Sequence, residues 1–141
     1  MDQVKKLPAR LLIGIVLGFN LQSAVALLVQ PDGYARQFAL TGGAGAAAVR
    51  GFGVLFLMWI VPYVVALWDP VRFRLVLYIC LAMQAIGLFG EALILTTIPA
   101  GLAPARQLLI RFIVFDAFGL VALLLAAWLS RTSIGSTSPN Q

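Results

Sequence analysis

The chain has 141 residues, of which 62% are hydrophobic and 11% are charged, and its mean hydropathy is +1.00. An ordinary soluble domain is about 45–50% apolar and about 25% charged, so this composition excludes a soluble globular protein. A helix needs roughly 20 apolar residues to cross a bilayer, which leaves room for four spans and short loops. We therefore expect an all-α, polytopic membrane protein folded as a four-transmembrane-helix bundle.

The sequence contains no histidine and one cysteine, Cys80. Histidine is the commonest ligand of transition metals and haem and a frequent general base, so metal hydrolase and His-ligated haem functions are disfavoured. A single cysteine forms no intramolecular disulfide and no CxxC pair, and a thiol within an apolar run normally packs. We predict no metal, no cofactor and no catalytic residue.

The net charge of +5 comes from ten basic residues that are spread along the chain rather than clustered. Because no cluster is dense enough to follow a phosphate backbone, nucleic acid is not an expected partner. The expected partner is the lipid bilayer. A homo-oligomer and a subunit of a larger membrane complex both remain open.

Four apolar runs are long enough to cross a membrane, and they occupy residues 11–30, 51–68, 75–98 and 107–129. The second contains Pro62, whose ring and missing N–H predict a kink. We assign residues 1–130 to the membrane domain and residues 131–141 to a polar, disordered tail.

The distribution of basic residues predicts that both termini face the cytoplasm, in the inner or plasma membrane. In this orientation Trp68 and Trp128 lie at the inner interface and Tyr34 at the outer one. Six basic residues are then inside and four are outside. The inner six are Lys5, Lys6, Arg10, Arg72, Arg74 and Arg131, and the outer four are Arg36, Arg50, Arg106 and Arg111.

The first span has a second interpretation, because a basic flank, an apolar stretch and Ala24-Val25-Ala26 also resemble a cleavable signal peptide. Residues 27–29 continue the apolar run to nearly a full span, which favours retention. A mature protein that began at Leu27 would have three spans.

The longest loop, residues 31–50, contains Tyr34, Phe38 and Leu40, which predict a short interfacial helix before a flexible stretch at 41–45. Residues 31–37 (PDGYARQ) and 99–107 (PAGLAPARQ) resemble one another. They are either two independent Pro-x-Gly helix exits or the remains of a duplicated hairpin.

Three ionisable residues lie inside the spans, and they are Glu91, Arg111 and Asp116. Each costs about 2.5–3.5 kcal/mol at the bilayer centre, so they are expected to face the bundle and find partners. With Arg50 they fall in the outer third of the bilayer. At about 100° per residue, Gln84 and Glu91 share one face of the third span.

Arg111 and Asp116 lie on different faces of one helix, so we predict bridges between helices. Glu91 is expected to meet Arg111 or Arg50, and Asp116 to meet the other. This set, with Gln84, is interpreted either as a buried network that fixes helix register or as a cavity for a headgroup, a quinone or a proton. Close helix packing is predicted at Gly14 and Gly18, which have GxxxG spacing, and at Gly87.

The sequence Val49-Arg50-Gly51-Phe52-Gly53 opens the second span, a short basic turn follows, and the third span contains Gly90-Glu91. This pattern, over residues 8–130, resembles the DoxX-like group of small membrane proteins, which includes BphX-like and related domain-of-unknown-function families. The resemblance implies an inner-membrane four-helix bundle. Arg50 is the one matched position, and the resemblance assigns it no role.

The sequence therefore predicts a non-enzymatic multi-pass membrane protein that acts as an accessory or scaffold component. The alternative is a small carrier, or a lipid- or quinone-binding protein, that uses a polar cavity in the outer third of the bilayer.

Overall fold

A computed structural model describes the backbone of residues 2–132 and the side chains of residues 6–131. Its helices are α1 (Asp2–Val29), α2 (Pro31–Gln37), α3 (Gly42–Trp68), α4 (Arg74–Thr97) and α5 (Ala103–Thr132). All but α2 are long and apolar enough to cross a membrane. At about 1.5 Å per residue even α4, with 24 residues, is about 36 Å long, so the predicted four-helix membrane bundle is confirmed.

The long helices extend beyond the predicted spans. The stretch at 41–45, expected to be flexible, already belongs to α3 from Gly42 onward, because Ala44 and the alanines at 46–48 are strong helix formers. Gly42 enters the helix with φ +65°, a left-handed value that glycine adopts without strain. At the other end of the chain α5 reaches Thr132. The first two residues of the predicted tail are therefore helical, and residues 133–141 lie outside the described part.

The short helix predicted in the longest loop is present as α2. Pro31 occupies its first turn, where a missing N–H costs nothing and the fixed φ suits a helix. Its Ala35 is buried against Leu27 of α1 and Val49 of α3. The helix therefore covers the end of the bundle where α1 ends and α3 begins.

The four long helices form a ring in which α1 packs on α3 and α5, and α4 packs on the same two helices. Helices that follow one another in the chain are thus neighbours, as in an up-and-down bundle. Aliphatic and small side chains fill its centre, while large apolar side chains such as Met58, Phe89 and Leu93 stay exposed on its outside. In water such an exposed apolar surface would promote aggregation, whereas in a bilayer it faces lipid.

At the end of the bundle where α1 begins, basic side chains form contacts between the helices. The Lys6 ammonium lies 2.7 Å from the Asp69 carboxylate, which follows α3. The Arg74 guanidinium donates a hydrogen bond to the Ser130 carbonyl oxygen over 3.2 Å. The basic residues that were predicted to share one side of the membrane thus gather at one end of the bundle.

Asp69 also shapes the turn between α3 and α4, because its Oδ1 accepts hydrogen bonds from the backbone N–H groups of Val71 and Arg72. Burial alone would raise the pKa of Asp69. The hydrogen bond from Lys6, the two backbone N–H groups and the Lys6 charge outweigh burial, so the pKa lies below its ordinary value.

Of the glycine pair that was predicted to pack closely, Gly14 and Gly18, only Gly14 faces a neighbouring helix. A Cβ atom on Gly14 would lie 3.7 Å from Leu67 Cδ1, an ordinary contact. Gly18 is exposed, and a Cβ atom there would meet no other part of the protein within 4 Å. The prediction was wrong for Gly18, because α1 turns that face away from its neighbours. The tight approach between α1 and α3 lies instead at Gly53, where a Cβ atom would lie 2.8 Å from Leu28 Cγ.

Candidate functional site

A chain of hydrogen bonds joins three helices inside the bundle. The Tyr63 hydroxyl of α3 donates to Gln84 Oε1 of α4 over 2.6 Å, and Gln84 Nε2 donates to Asp116 Oδ1 of α5 over 2.9 Å. All three side chains are buried. We call these residues the Tyr63–Gln84–Asp116 network.

Two glycines make room for this network. The Asp116 carboxylate occupies the position that a Cβ atom on Gly87 of α4 would need, and Gln84 Nε2 lies 2.6 Å from where a Cβ on Gly119 of α5 would be. Each polar side chain therefore lies over a glycine of the facing helix. Gly87, which was predicted as a position of close helix packing, thus faces the Asp116 side chain.

Gly119 and Tyr63 were missed by the sequence-based interpretation. A signal for Gly119 exists, because it follows Asp116 at the same three-residue spacing at which Gly87 follows Gln84. A signal for Tyr63 also exists, since a buried tyrosine hydroxyl usually needs a partner, and this tyrosine lies within a span.

Glu91 belongs to the same face of α4 but is outside the hydrogen-bond chain. It is half-buried, and its Oε2 is enclosed without a hydrogen-bond partner among the described residues. Its carboxyl group lies near enough to that of Asp116 for the two to interact electrostatically. The structure thus brings Gln84, Glu91 and Asp116 together.

The two arginines of the predicted set lie elsewhere. Arg50 and Arg111 are exposed, and the one ion pair between described side chains is Lys6–Asp69 at the opposite end of the bundle. The predicted bridges from Glu91 and Asp116 to these arginines are therefore wrong. The reason is that a neutral amide, Gln84, satisfies Asp116, while Arg111 lies about 140° around α5 from that carboxylate.

Arg111 lines a cleft between α1 and α5 on the outside of the bundle. The cleft consists of two adjoining cavities of about 220 Å³ and about 560 Å³. Phe19, Arg111 and Phe115 line both cavities, and the two phenylalanine rings meet edge to face with centroids 5.4 Å apart. We call this the α1/α5 cleft.

The fold and the polar interior define the chain as a multi-pass membrane protein of the up-and-down four-helix type. No family model, curated protein or solved structure matches it. The resemblance to the DoxX-like group therefore stays a prediction.

Proposed function

We propose that the chain is a non-enzymatic component of the inner or plasma membrane, with both termini cytoplasmic, that serves as an accessory or scaffold subunit of a larger assembly. The observation that supports this proposal is the Tyr63–Gln84–Asp116 network. Its members bond to one another across three helices. Such a network specifies which helix faces meet, and it leaves few polar groups free to receive a substrate.

The absence of enzymatic activity is part of the proposal. The sequence has no histidine, and the sole thiol, that of Cys80, is buried in the apolar core. Nucleophilic catalysis needs a nucleophile beside a base that can activate it. A scaffold role requires neither group, and membership of the DoxX-like group would agree with that role.

The alternative, a carrier with a polar cavity in the outer third, requires the polar residues to converge. Gln84 and Asp116 face the interior, whereas Arg50 and Arg111 are exposed. Of the predicted set, Arg111 alone lines the α1/α5 cleft. The geometry therefore favours a register-fixing network over a shared transport cavity.

Co-purification from native membranes tests the proposal. We expect a tagged chain, solubilised in mild detergent, to bring down a membrane protein in fixed stoichiometry, and deletion of the chain to lower that protein's abundance. Recovery of the chain without any stoichiometric partner would contradict a subunit role.

A variant separates the accessory role from the carrier role. Asp116→Asn should lower the abundance of the chain and, in proportion, that of its partner, because the network stabilises the fold. Normal abundance combined with loss of solute uptake in proteoliposomes would instead support the carrier.

A further inference from the structure

The α1/α5 cleft is built from two facing stripes of side chains. On α5, Arg111, Phe115 and Phe118 recur at intervals of three or four residues and so share one face. On α1, Phe19 and Ser23 do the same. The stripes form the two walls of a groove that opens to the membrane side of the bundle.

The cleft is polar at one end and apolar at the other. The smaller cavity, toward α2, includes Gln22, Ser23 and Tyr34. The larger cavity extends toward the middle of α5, where Val114 and Phe118 line it. Arg111 lies at the boundary, so the cleft has the polarity of an amphiphile whose head points toward α2.

The Arg111 guanidinium has no counter-charge among the side chains that the structure describes. It is exposed and forms no ion pair or hydrogen bond with a described residue. By position along α5 it lies about 12 Å from the start of the helix, where an unpaired cation is costly in a bilayer.

None of the acidic side chains that the structure describes forms an ion pair with Arg111. Of the five acidic residues, Asp2 and Asp69 belong to the opposite end of the bundle. Glu91 and Asp116 face the interior, and Asp32 lies on α2 without an ion pair to a described residue. Arg111 is therefore left without a counter-charge among the described residues.

We propose that the α1/α5 cleft binds an anionic phospholipid of the surrounding membrane. The planar guanidinium of Arg111 matches a phosphate group and binds it through paired hydrogen bonds. Gln22, Ser23 and Tyr34 offer donors to the remaining headgroup oxygens, and an acyl chain occupies the larger cavity. This site goes beyond the accessory role and does not depend on it.

The chain offers a matched control for Arg111. Arg50 is also exposed, and it follows the first residue of α3 by as many positions as Arg111 follows the first residue of α5. The two arginines therefore carry the same charge equally far along their helices, but Arg50 does not line the cleft. Arg111→Gln and Arg50→Gln remove equal charge from the two places.

The test is native mass spectrometry of the delipidated full-length protein, titrated with dioleoyl phosphatidylglycerol or dioleoyl phosphatidylcholine. We expect one phosphatidylglycerol to bind at least about tenfold more tightly than phosphatidylcholine. Arg111→Gln should abolish this preference, and Arg50→Gln should preserve it. Equal behaviour of the two variants, whether both lose or both keep the preference, would overturn the proposal.

A second variant tests the apolar half of the cleft. Val114 is 64% exposed, so Val114→Trp fills the larger cavity without disturbing the core, which an unchanged thermal midpoint would verify. We expect it to weaken phosphatidylglycerol binding although Arg111 remains. Undiminished binding by this variant, or displacement of the lipid by millimolar inorganic phosphate, would show that no acyl chain lies in the cleft and would overturn the proposal.

Discussion

Gln84 is the side chain that joins the polar interior of the bundle. A primary amide both donates and accepts hydrogen bonds, so it can accept from a phenol and donate to a carboxylate at the same time. Its oxygen accepts from Tyr63 and its nitrogen donates to Asp116. Loss of the amide would leave two buried polar groups without these partners.

Gln84→Leu should therefore lower the free energy of unfolding by about 1–2 kcal/mol, since hydrogen bonds between membrane helices contribute about 0.6 and at most about 1.7 kcal/mol each. Gln22→Leu is the matched control, because Gln22 is exposed on α1 and its change should stay within about 0.5 kcal/mol. Unfolding of both variants in detergent checks this. Equal losses would mean that the network contributes nothing specific.

Sequence predicted the residues of this site better than their partners. Gln84, Gly87 and Glu91 share a face of one helix, and the helical period alone reveals that. The partner of Asp116 depends on how far α5 is rotated and shifted against α4, which packing decides. The acidic residues were expected to pair with arginines. Instead, the neutral Gln84 amide bonds to the Asp116 carboxylate, and Arg50 and Arg111 are exposed.

Among the elements, α1 and α3 approach each other closely where Gly53 faces α1. A Cβ atom there would lie 2.8 Å from Leu28 Cγ and 3.2 Å from the Ala24 carbonyl oxygen, and the second of these belongs to a helix backbone that moves little. The absence of a side chain at Gly53 therefore sets the distance between the two helices.

Gly53→Ala should destabilise the bundle by about 1–3 kcal/mol through overpacking. Gly51→Ala, on the same helix, introduces the same methyl group into open space and should be neutral or slightly stabilising, because alanine is the better helix former. Thermal unfolding in detergent distinguishes them. A Gly53→Ala protein as stable as Gly51→Ala would show that the helices can separate at little cost.

The turn between α3 and α4 should respond to acid through Asp69. Because the pKa of Asp69 is lower in the folded protein than its ordinary value of about 3.9, ionised Asp69 stabilises the fold above that pH. That stabilisation is lost as the pH falls through the lowered pKa.

Asp69→Asn keeps an oxygen for the N–H groups of Val71 and Arg72 but removes the charge that faces Lys6. The difference in unfolding midpoint between wild type and this variant should be constant above about pH 5 and shrink below about pH 4. The difference isolates Asp69 from the other acidic groups. A difference that does not change with pH would show that the ion pair adds no stability.

The whole molecule should have its basic end in the cytoplasm. Cys80, the sole cysteine, is fully buried, so the protein offers a clean background for labelling. A membrane-impermeant maleimide should label Ala100→Cys in intact cells and Val71→Cys only after permeabilisation, because these positions lie in turns at opposite ends. The reverse pattern would place both termini outside.

At this scale the sequence predicted the number of spans, because hydropathy depends on composition within each segment. It predicted the helix ends less well. Residues 41–45 contain three glycines and were expected to be flexible. In the structure α3 begins at Gly42, because the alanines that follow favour a helix. The arrangement of the helices around the ring required the structure, since side-chain packing across helices leaves no local signal.

The bond between Gln84 and Asp116 also bears on how the chain enters the membrane during synthesis. If α4 and α5 entered lipid one at a time, α4 would expose an amide and a carboxyl group, and α5 would expose a carboxyl group and a guanidinium. As a helical hairpin, the two helices cover the Gln84 amide and the Asp116 carboxylate with each other. We therefore expect the insertion machinery to hold α4 until α5 has been made and to release the two helices together.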